Sequence, residues 1–173
     1  MNILENRTEW EETFQNGWLA HYRETGDIDW SRYNRPNNKT APTGDPITLA
    51  DSRLILISSA GGYLPASQEP FDAENDLGDY AIRVVPSDTP LDQIAYAHTH
   101  YDHTAVDADP QVLVPLRHLD QLVADGKIGG LTDNMIFFMG YQPDISQVLN
   151  ETIPAILEVV DKEKADGVLL VPA

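Results

Sequence analysis

Three features of the sequence predict an α/β protein with three layers (αβα), in which helices cover both faces of a mostly parallel β-sheet. Residues Arg53–Ser58 contain the continuous apolar run LILI, typical of a strand buried on both faces. Similar short runs then alternate with segments of helical periodicity. The 173 residues, 42% of them hydrophobic, suffice for one substantial core. We therefore expect a Rossmann or flavodoxin-like domain over residues 51–173, with a helix and an irregular arm over residues 1–50 packed on it.

The N-terminal region begins with a predicted helix. Thr8 is suited to cap a helix over residues 9–23, with Glu11 near the position that a capping box requires. Three aromatic residues recur at a spacing that indicates a buried stripe: Trp10, Phe14 and Trp18. Residues 26–46 are rich in Pro, Asn, Asp and Gly, which predicts the irregular arm.

The elements after Arg53–Ser58 are predicted in alternating order. Strands are expected at residues 81–85, 93–97, 134–139 and 167–171, and helices at residues 110–124 and 145–164. The last strand is as apolar as the first, which predicts a central place in the sheet. Ligands of open α/β sheets bind at the carboxyl ends of the strands. We expect one cleft formed by the segments that follow strand ends: residues 58–62, 98–103, 140–142 and 172–173.

Composition narrows the possible partners and location. The net charge of −17 is opposite to that of a nucleic-acid-binding surface, so nucleic acid is not expected as a partner. No apolar run is long enough to span a membrane, and the acidic N-terminus lacks the basic start of a signal peptide. We therefore expect a cytoplasmic protein. The absence of cysteine excludes disulfides, thiolate nucleophiles and cysteine-ligated zinc within these residues.

Residues 98–103 (HTHYDH) are the strongest candidate site, since they hold three of the five histidines and an aspartate. On a strand end, the two-residue repeat places His98, His100 and Asp102 on one side. Imidazole titrates near neutrality and is the commonest metal ligand. The segment therefore predicts either catalytic proton donors (His98, His100 and His103) or ligands for a divalent zinc or iron ion (those histidines and Asp102).

Two other interpretations of this segment stay open. Its HxHxDH spelling resembles that of the metallo-β-lactamase hydrolases, but the only later histidine, His118, is predicted to lie on a helix. This leaves a metal-binding protein or a mononuclear metallohydrolase with an open position for water as the alternative function. The other interpretation is a polar cluster that is simply hydrogen-bonded at a strand end.

Residues 58–62 (SSAGG) are a second candidate, for substrate binding. Hydroxyl and backbone N–H groups at Ser58, Ser59, Gly61 and Gly62 would suit an anionic group such as a carboxylate. The structural alternative is a tight turn that requires glycine backbone angles. Tyr141, after another predicted strand, is expected to line the same cleft.

Several motifs that recur in order resemble the glycine/sarcosine/betaine reductase selenoprotein B family, in the branch that includes the small D-proline reductase subunit. The resemblance runs from about Arg53 to Ala173. Its motifs are SSAGG (58–62), QEPFD (68–72), GDY (78–80), PSD (86–88), HTHYDH (98–103), PL to GKIG (115–129), FMGY (138–141) and LLVPA (169–173). The resemblance implies reduction of a substrate C–N bond by a redox-active selenocysteine or cysteine, with a dithiol as partner. It also implies a small carboxylate-bearing substrate and association with other reductase subunits or as a homo-oligomer.

The chain departs from that family at its redox residue. In the branch that it resembles, the LLxP-like strand end is followed by the selenocysteine or cysteine, and here the sequence stops at Pro172-Ala173. We therefore expect a domain that is incomplete at its C-terminus, through a UGA selenocysteine codon read as a stop. The alternative is a naturally short, non-redox paralogue that kept the binding half of the cleft.

Overall fold

The computed structural model describes residues 4–40, 44–97 and 101–173. The first element is a long helix in three segments. The segments are α1 (Arg7–Thr13), a π-helical stretch (Phe14–Trp18) and α2 (Leu19–Thr25). The predicted cap at Thr8 is wrong, because the N–H of Trp10 already donates to the Asn6 carbonyl and the helix starts at Arg7. Glu11 binds the Arg7 side chain at 2.7 Å.

The predicted aromatic stripe is confirmed as a core. Trp10, Phe14 and Trp18 are all buried, with ring centroids 4.8 Å apart for the first pair and 5.5 Å apart for the second. Tyr33 packs edge-on against all three rings, which ties the arm to the helix. In its described part the arm contains only two short 3₁₀ turns, Trp30–Arg32 and Leu49–Asp51, so its irregular character is also confirmed.

A mostly parallel sheet forms the centre of the protein, as predicted. Its middle strand is β1 (Arg53–Ser58), which is buried along nearly its whole length. Strand β2 (Gly62–Tyr63) leaves this sheet and pairs with β4 (Ala95–Tyr96) in a short antiparallel ribbon. The predicted strand at residues 93–97 is therefore reduced to two residues.

The other strands lie on both sides of β1. On one side, β5 (Gly130–Leu131) and β6 (Asn134–Phe138) pair in parallel with the first and second halves of β1. Strand β3 (Ile82–Pro86) then pairs antiparallel with β6. On the other side, β7 (Gly167–Val171) runs parallel to β1 in continuous register from Leu54 to Ser58.

The position predicted for β7 is wrong. Within the described residues β7 pairs with β1 alone and forms an edge of the sheet. Val168 and Leu170 are 52% and 59% exposed, whereas Leu169 and Val171 pack against the main core. An apolar strand sequence indicates that both faces of the strand can be buried. It does not indicate whether a second strand pairs with it or which elements cover its faces.

The helix predicted at residues 110–124 is interrupted by proline. After helix α3 (Thr104–Ala108), the backbone is extended at Asp109. The segment at 110–124 then contains a 3₁₀ turn (Pro110–Val112) and α4 (Leu116–Ala124), with Pro115 at the N-cap of α4. Proline supplies no N–H to a helix and disfavours helical angles at the residue before it. Pro115 itself has ψ of 40°, outside the helical region, so the helix is interrupted there. Helix α3 itself is one short turn, Thr104–Ala108.

The last helical region remains continuous but changes its winding. It consists of α5 (Ile145–Gln147), a π-helical stretch (Val148–Thr152) and α6 (Ile153–Glu163). Pro154 has no N–H to donate one turn back, which favours the wider winding before it. The helix ends at Lys164, whose φ of 53° lies in the left-handed region.

Helices cover the two faces of the sheet, which gives the predicted layers. On one face, alternate side chains of β1 and β6 join a cluster with Leu116 and Leu119 of α4. On the other, Ile55, Ile57 and Ile136 pack under α6. None of the helices in the described part of the chain has the length and apolar character needed to cross a membrane.

Candidate functional site

The carboxyl ends of β1, β6 and β7 meet around Ser59, and we call residues 58–62 with their bonded neighbours the strand-end junction. Ser59 N–H donates to the Val171 carbonyl at 3.1 Å, and its Oγ accepts from Ala173 N–H at 2.9 Å. Its own carbonyl accepts from Gly140 N–H at 3.0 Å. Three of the four segments predicted to meet therefore do so at a single residue.

The fourth segment reaches the junction through the ribbon of β2 and β4. The N–H of Ala97 donates to the Gly61 carbonyl at 3.0 Å, and Gly61 N–H donates to the Phe138 carbonyl at 3.0 Å. Ala97 directly precedes the histidine cluster in sequence. The histidine cluster therefore directly follows, in sequence, a residue that is bonded to the junction.

The two serines predicted to bind substrate are buried in the junction. Ser58 is 0% and Ser59 7% exposed, and the Ser58 Oγ accepts from Ala60 N–H at 3.4 Å. Since the amides of Ser59 and Gly61 also donate to backbone carbonyls, these groups hold the strand ends together in this conformation. A role for them in ligand binding stays a prediction.

The two glycines are required for different reasons, Gly61 by its backbone angle and Gly62 by a close contact. Gly61 has φ of 65°, in the left-handed region that favours glycine. At Gly62 a Cβ atom would lie 2.6 Å from the Phe137 ring, closer than side chains approach one another. The structural reason for this glycine pair is therefore clear, and it brings the ribbon of β2 and β4 directly over the buried end of β6.

The histidine cluster is described only from residue 101 onward, so His98 and His100 lie outside the described residues. Asp102 Oδ1 accepts from Thr104 N–H at 2.9 Å and from Thr104 Oγ1 at 2.7 Å, at the start of α3. These hydrogen bonds, the one from Oγ1 first, lower the pKa of Asp102. The His103 ring stacks on Tyr101 with centroids 4.4 Å apart.

This geometry bears only partly on the predicted metal site. Across residues 4–40, 44–97 and 101–173, no group of three or more His, Asp or Glu side chains is arranged to hold a metal ion. Two of the four predicted ligands, His98 and His100, fall outside those ranges. Zinc or iron binding therefore stays a prediction, with Asp102 Oδ1 already engaged in the turn before α3.

Tyr141 connects the junction to the N-terminal arm. Its hydroxyl donates to the Asp76 carbonyl at 2.9 Å, and its ring meets Trp30 edge-on at 6.0 Å. Burial, together with the nearby Asp76 carboxylate, raises its pKa to about 12. The phenol therefore stays protonated at neutral pH and acts as a donor.

Sequence reasoning missed two buried polar groups, Tyr96 just before the cluster and Gln111 in the 3₁₀ turn after α3. The Tyr96 hydroxyl and the Gln111 Oε1 are buried and have no hydrogen-bond partner among the described residues. Burial, and then the neighbouring Tyr101, raise the pKa of Tyr96. The available signal was a tyrosine two residues before the cluster, but a tyrosine in an apolar segment is more simply interpreted as core.

Comparison with known proteins gives two matches. Residues 30–173 match the family model described as glycine/sarcosine/betaine reductase selenoprotein B. The chain is also 30% identical over 131 residues to the D-proline reductase subunit gamma of Acetoanaerobium sticklandii, which covers 75% of this chain and 52% of the relative. The chain thus spans about half the length of that relative. No solved structure matches, so the Rossmann or flavodoxin-like topology stays a prediction within the α/β class.

Proposed function

The chain belongs to the glycine/sarcosine/betaine reductase selenoprotein B family, and from that premise we propose that it is a subunit of a reductase of this type. The reaction is reductive cleavage of the C–N bond of an amino acid or betaine-like substrate. The substrate carbon and the departing nitrogen each gain a hydrogen, while a dithiol is oxidised to a disulfide. Two electrons and two protons are transferred in all.

The observation that carries this proposal is the meeting of the family-like motifs at one end of the sheet. The SSAGG, FMGY and LLVPA segments are bonded to one another through Ser59, and the HTHYDH segment follows Ala97. This end is where α/β sheets bind ligands. We assign substrate binding to Ser58, Ser59, Gly61, Gly62 and Tyr141.

His98, His100 and His103 are the proposed proton donors to the leaving nitrogen. A general acid works best when its pKa lies near the working pH, and imidazole meets that condition without large tuning. The proposal requires that these histidines face the same substrate as the junction.

The redox group comes from outside these 173 residues in this proposal, since the sequence contains no cysteine. A two-electron exchange with a dithiol proceeds through a mixed disulfide or selenosulfide, which needs a sulfur or selenium atom able to form one. The chain would then contribute binding and proton transfer, and another polypeptide segment or subunit the redox atom.

Ligand binding and dithiol oxidation by the purified chain test the proposal together. We expect D-proline, sarcosine, glycine or betaine to raise the melting temperature, and pyrrolidine, the carboxylate-free analogue of D-proline, to have no effect. We expect none of the four to drive oxidation of dithiothreitol by this chain alone. Failure of all four ligands to bind contradicts the substrate role, and substrate-dependent dithiol oxidation contradicts the external redox group.

A further inference from the structure

Tyr96 stands at the point where the ribbon of β2 and β4 joins the histidine cluster. It is the partner of Gly62 in the ribbon, and the next residue, Ala97, is bonded to Gly61. Its ring packs against the main core together with that of Tyr101. The backbone position of Tyr96 is therefore fixed by its pairing with the glycines of the strand-end junction.

The hydroxyl of Tyr96 differs from those of Tyr80 and Tyr33, two other tyrosines of the core. Tyr80 OH donates to the Leu77 carbonyl at 2.9 Å and accepts from Asp144 N–H at 2.8 Å, and Tyr33 OH donates to the Pro143 carbonyl at 2.8 Å. The Tyr96 hydroxyl is buried without such a partner in the described part of the chain. Burying a hydroxyl without a hydrogen bond is costly, and folded proteins avoid it unless the group has another use.

The chemistry of the group indicates what would satisfy it. A tyrosine phenol is neutral at neutral pH, so the buried hydroxyl presents an O–H donor. A donor in apolar surroundings binds an anionic oxygen acceptor most strongly, since charge-assisted hydrogen bonds are stronger than neutral ones and water does not compete. A carboxylate is such an acceptor.

We propose that Tyr96 is a ligand-binding residue whose hydroxyl donates a hydrogen bond to the carboxylate of a small molecule bound at the strand-end junction. The carboxylate class rests on the function proposed above, whereas the hydrogen-bonding role of Tyr96 rests on its burial and its place in the ribbon. Tyr96 then orients the ligand from the ribbon of β2 and β4, where it is paired with Gly62.

The test is Tyr96→Phe, with Tyr80→Phe as the matched control. In the absence of ligand, Tyr96→Phe is expected to leave the melting temperature unchanged or raise it, because it removes a hydroxyl that the fold does not satisfy. Tyr80→Phe is expected to lower it, because it breaks two hydrogen bonds. A loss in Tyr96→Phe as large as that in Tyr80→Phe would mean that the protein or a retained water satisfies the group, and would overturn the proposal.

Calorimetric titration with acetate and with D-proline supplies the second measurement. We expect Tyr96→Phe to weaken carboxylate binding about 10- to 100-fold, the usual cost of losing a hydrogen bond to a charged group. Unchanged affinity, or a wild-type protein that binds neither probe, overturns the role of Tyr96. If acetate binds and depends on Tyr96 while the four reductase substrates do not bind, the proposed function fails and this inference stands. If those substrates bind the wild-type and variant proteins equally, the proposed function stands and the role of Tyr96 fails.

Discussion

At the scale of single residues, Asp102 illustrates how one carboxylate can serve structure at a candidate active site. Its Oδ1 accepts two hydrogen bonds from Thr104, the first residue of α3. Asp102 precedes the N-cap residue of α3, His103, and its carboxylate forms an Asx-type turn with Thr104, the first residue of the helix. The structure therefore gives Asp102 a role that needs no metal.

We expect Asp102→Ala to lower the melting temperature at neutral pH and Asp102→Asn to retain most of it, since the asparagine oxygen accepts the same hydrogen bonds. Because the pKa of Asp102 is lowered in the folded protein, its contribution is present above the ordinary value of 3.8 and is lost as pH falls through the folded value. Thermal unfolding of the three proteins from neutral pH to about pH 3 checks both expectations. Equal losses in the Ala and Asn variants would assign the effect to the charge instead.

Residue-level prediction worked where sterics are local. The need for glycine backbone angles at the SSAGG turn is confirmed by the φ of 65° at Gly61. The Phe137 ring against Gly62 is a contact between distant segments, which the sequence did not predict. The partners of Ser59 could not be predicted, because Gly140, Val171 and Ala173 are far away in sequence.

At the scale of elements, β7 shows that apolar sequence and burial are separable. All four of its non-glycine residues are apolar, yet only alternate side chains contact the main core. Side chains of a strand point alternately to opposite faces, so the uncovered half belongs to a single face.

We expect Leu170→Lys to change the free energy of unfolding by less than about 0.5 kcal/mol, as exposed substitutions generally do. The matched variant Leu169→Lys should cost more than about 2 kcal/mol, since it removes a side chain that packs against the core. Urea denaturation measures both. A comparable loss at Leu170 would indicate that a partner covers this face of β7 in solution.

The broken helix shows the limit of periodicity as a guide. The apolar spacing over residues 110–124 predicted one helix, but Pro115 divides the segment into a 3₁₀ turn and α4. The same spacing over residues 145–164 did form a continuous helical segment, although Pro154 lies within it. Proline is tolerated there because the turn before it, Val148–Thr152, has the wider π-helical winding, which accommodates the missing N–H.

At the scale of the whole molecule, the dominant electrostatic feature is a net charge of −17. Only three ion pairs occur among the described residues, and all of them are at least partly exposed. Exposed pairs contribute little, whereas unbalanced charge of one sign destabilises the compact state.

We therefore expect sodium chloride to raise the melting temperature, because the screening length falls from about 10 Å at 0.1 M salt to about 3 Å at 1 M. A salt series followed by circular dichroism measures the effect. Screening predicts a rise that levels off as the repulsion is removed, whereas a continued linear rise would indicate a general salting-out effect. A fall in melting temperature would mean that attractive pairs outweigh the repulsion.

The sequence alone determined the α/β class, the aromatic core of the N-terminal helix, most strand positions and the family. These depend on the spacing of apolar residues, on local backbone sterics and on ordered motifs, all of which can be identified within short stretches of chain. Only the tertiary structure decided that β3 runs antiparallel, that β7 forms an edge, that Ser59 joins three strand ends and that the Tyr96 hydroxyl is buried without a partner in the described residues. Each of these depends on contacts between segments distant in sequence. Such contacts are selected by the packing of the whole core, which no local pattern specifies.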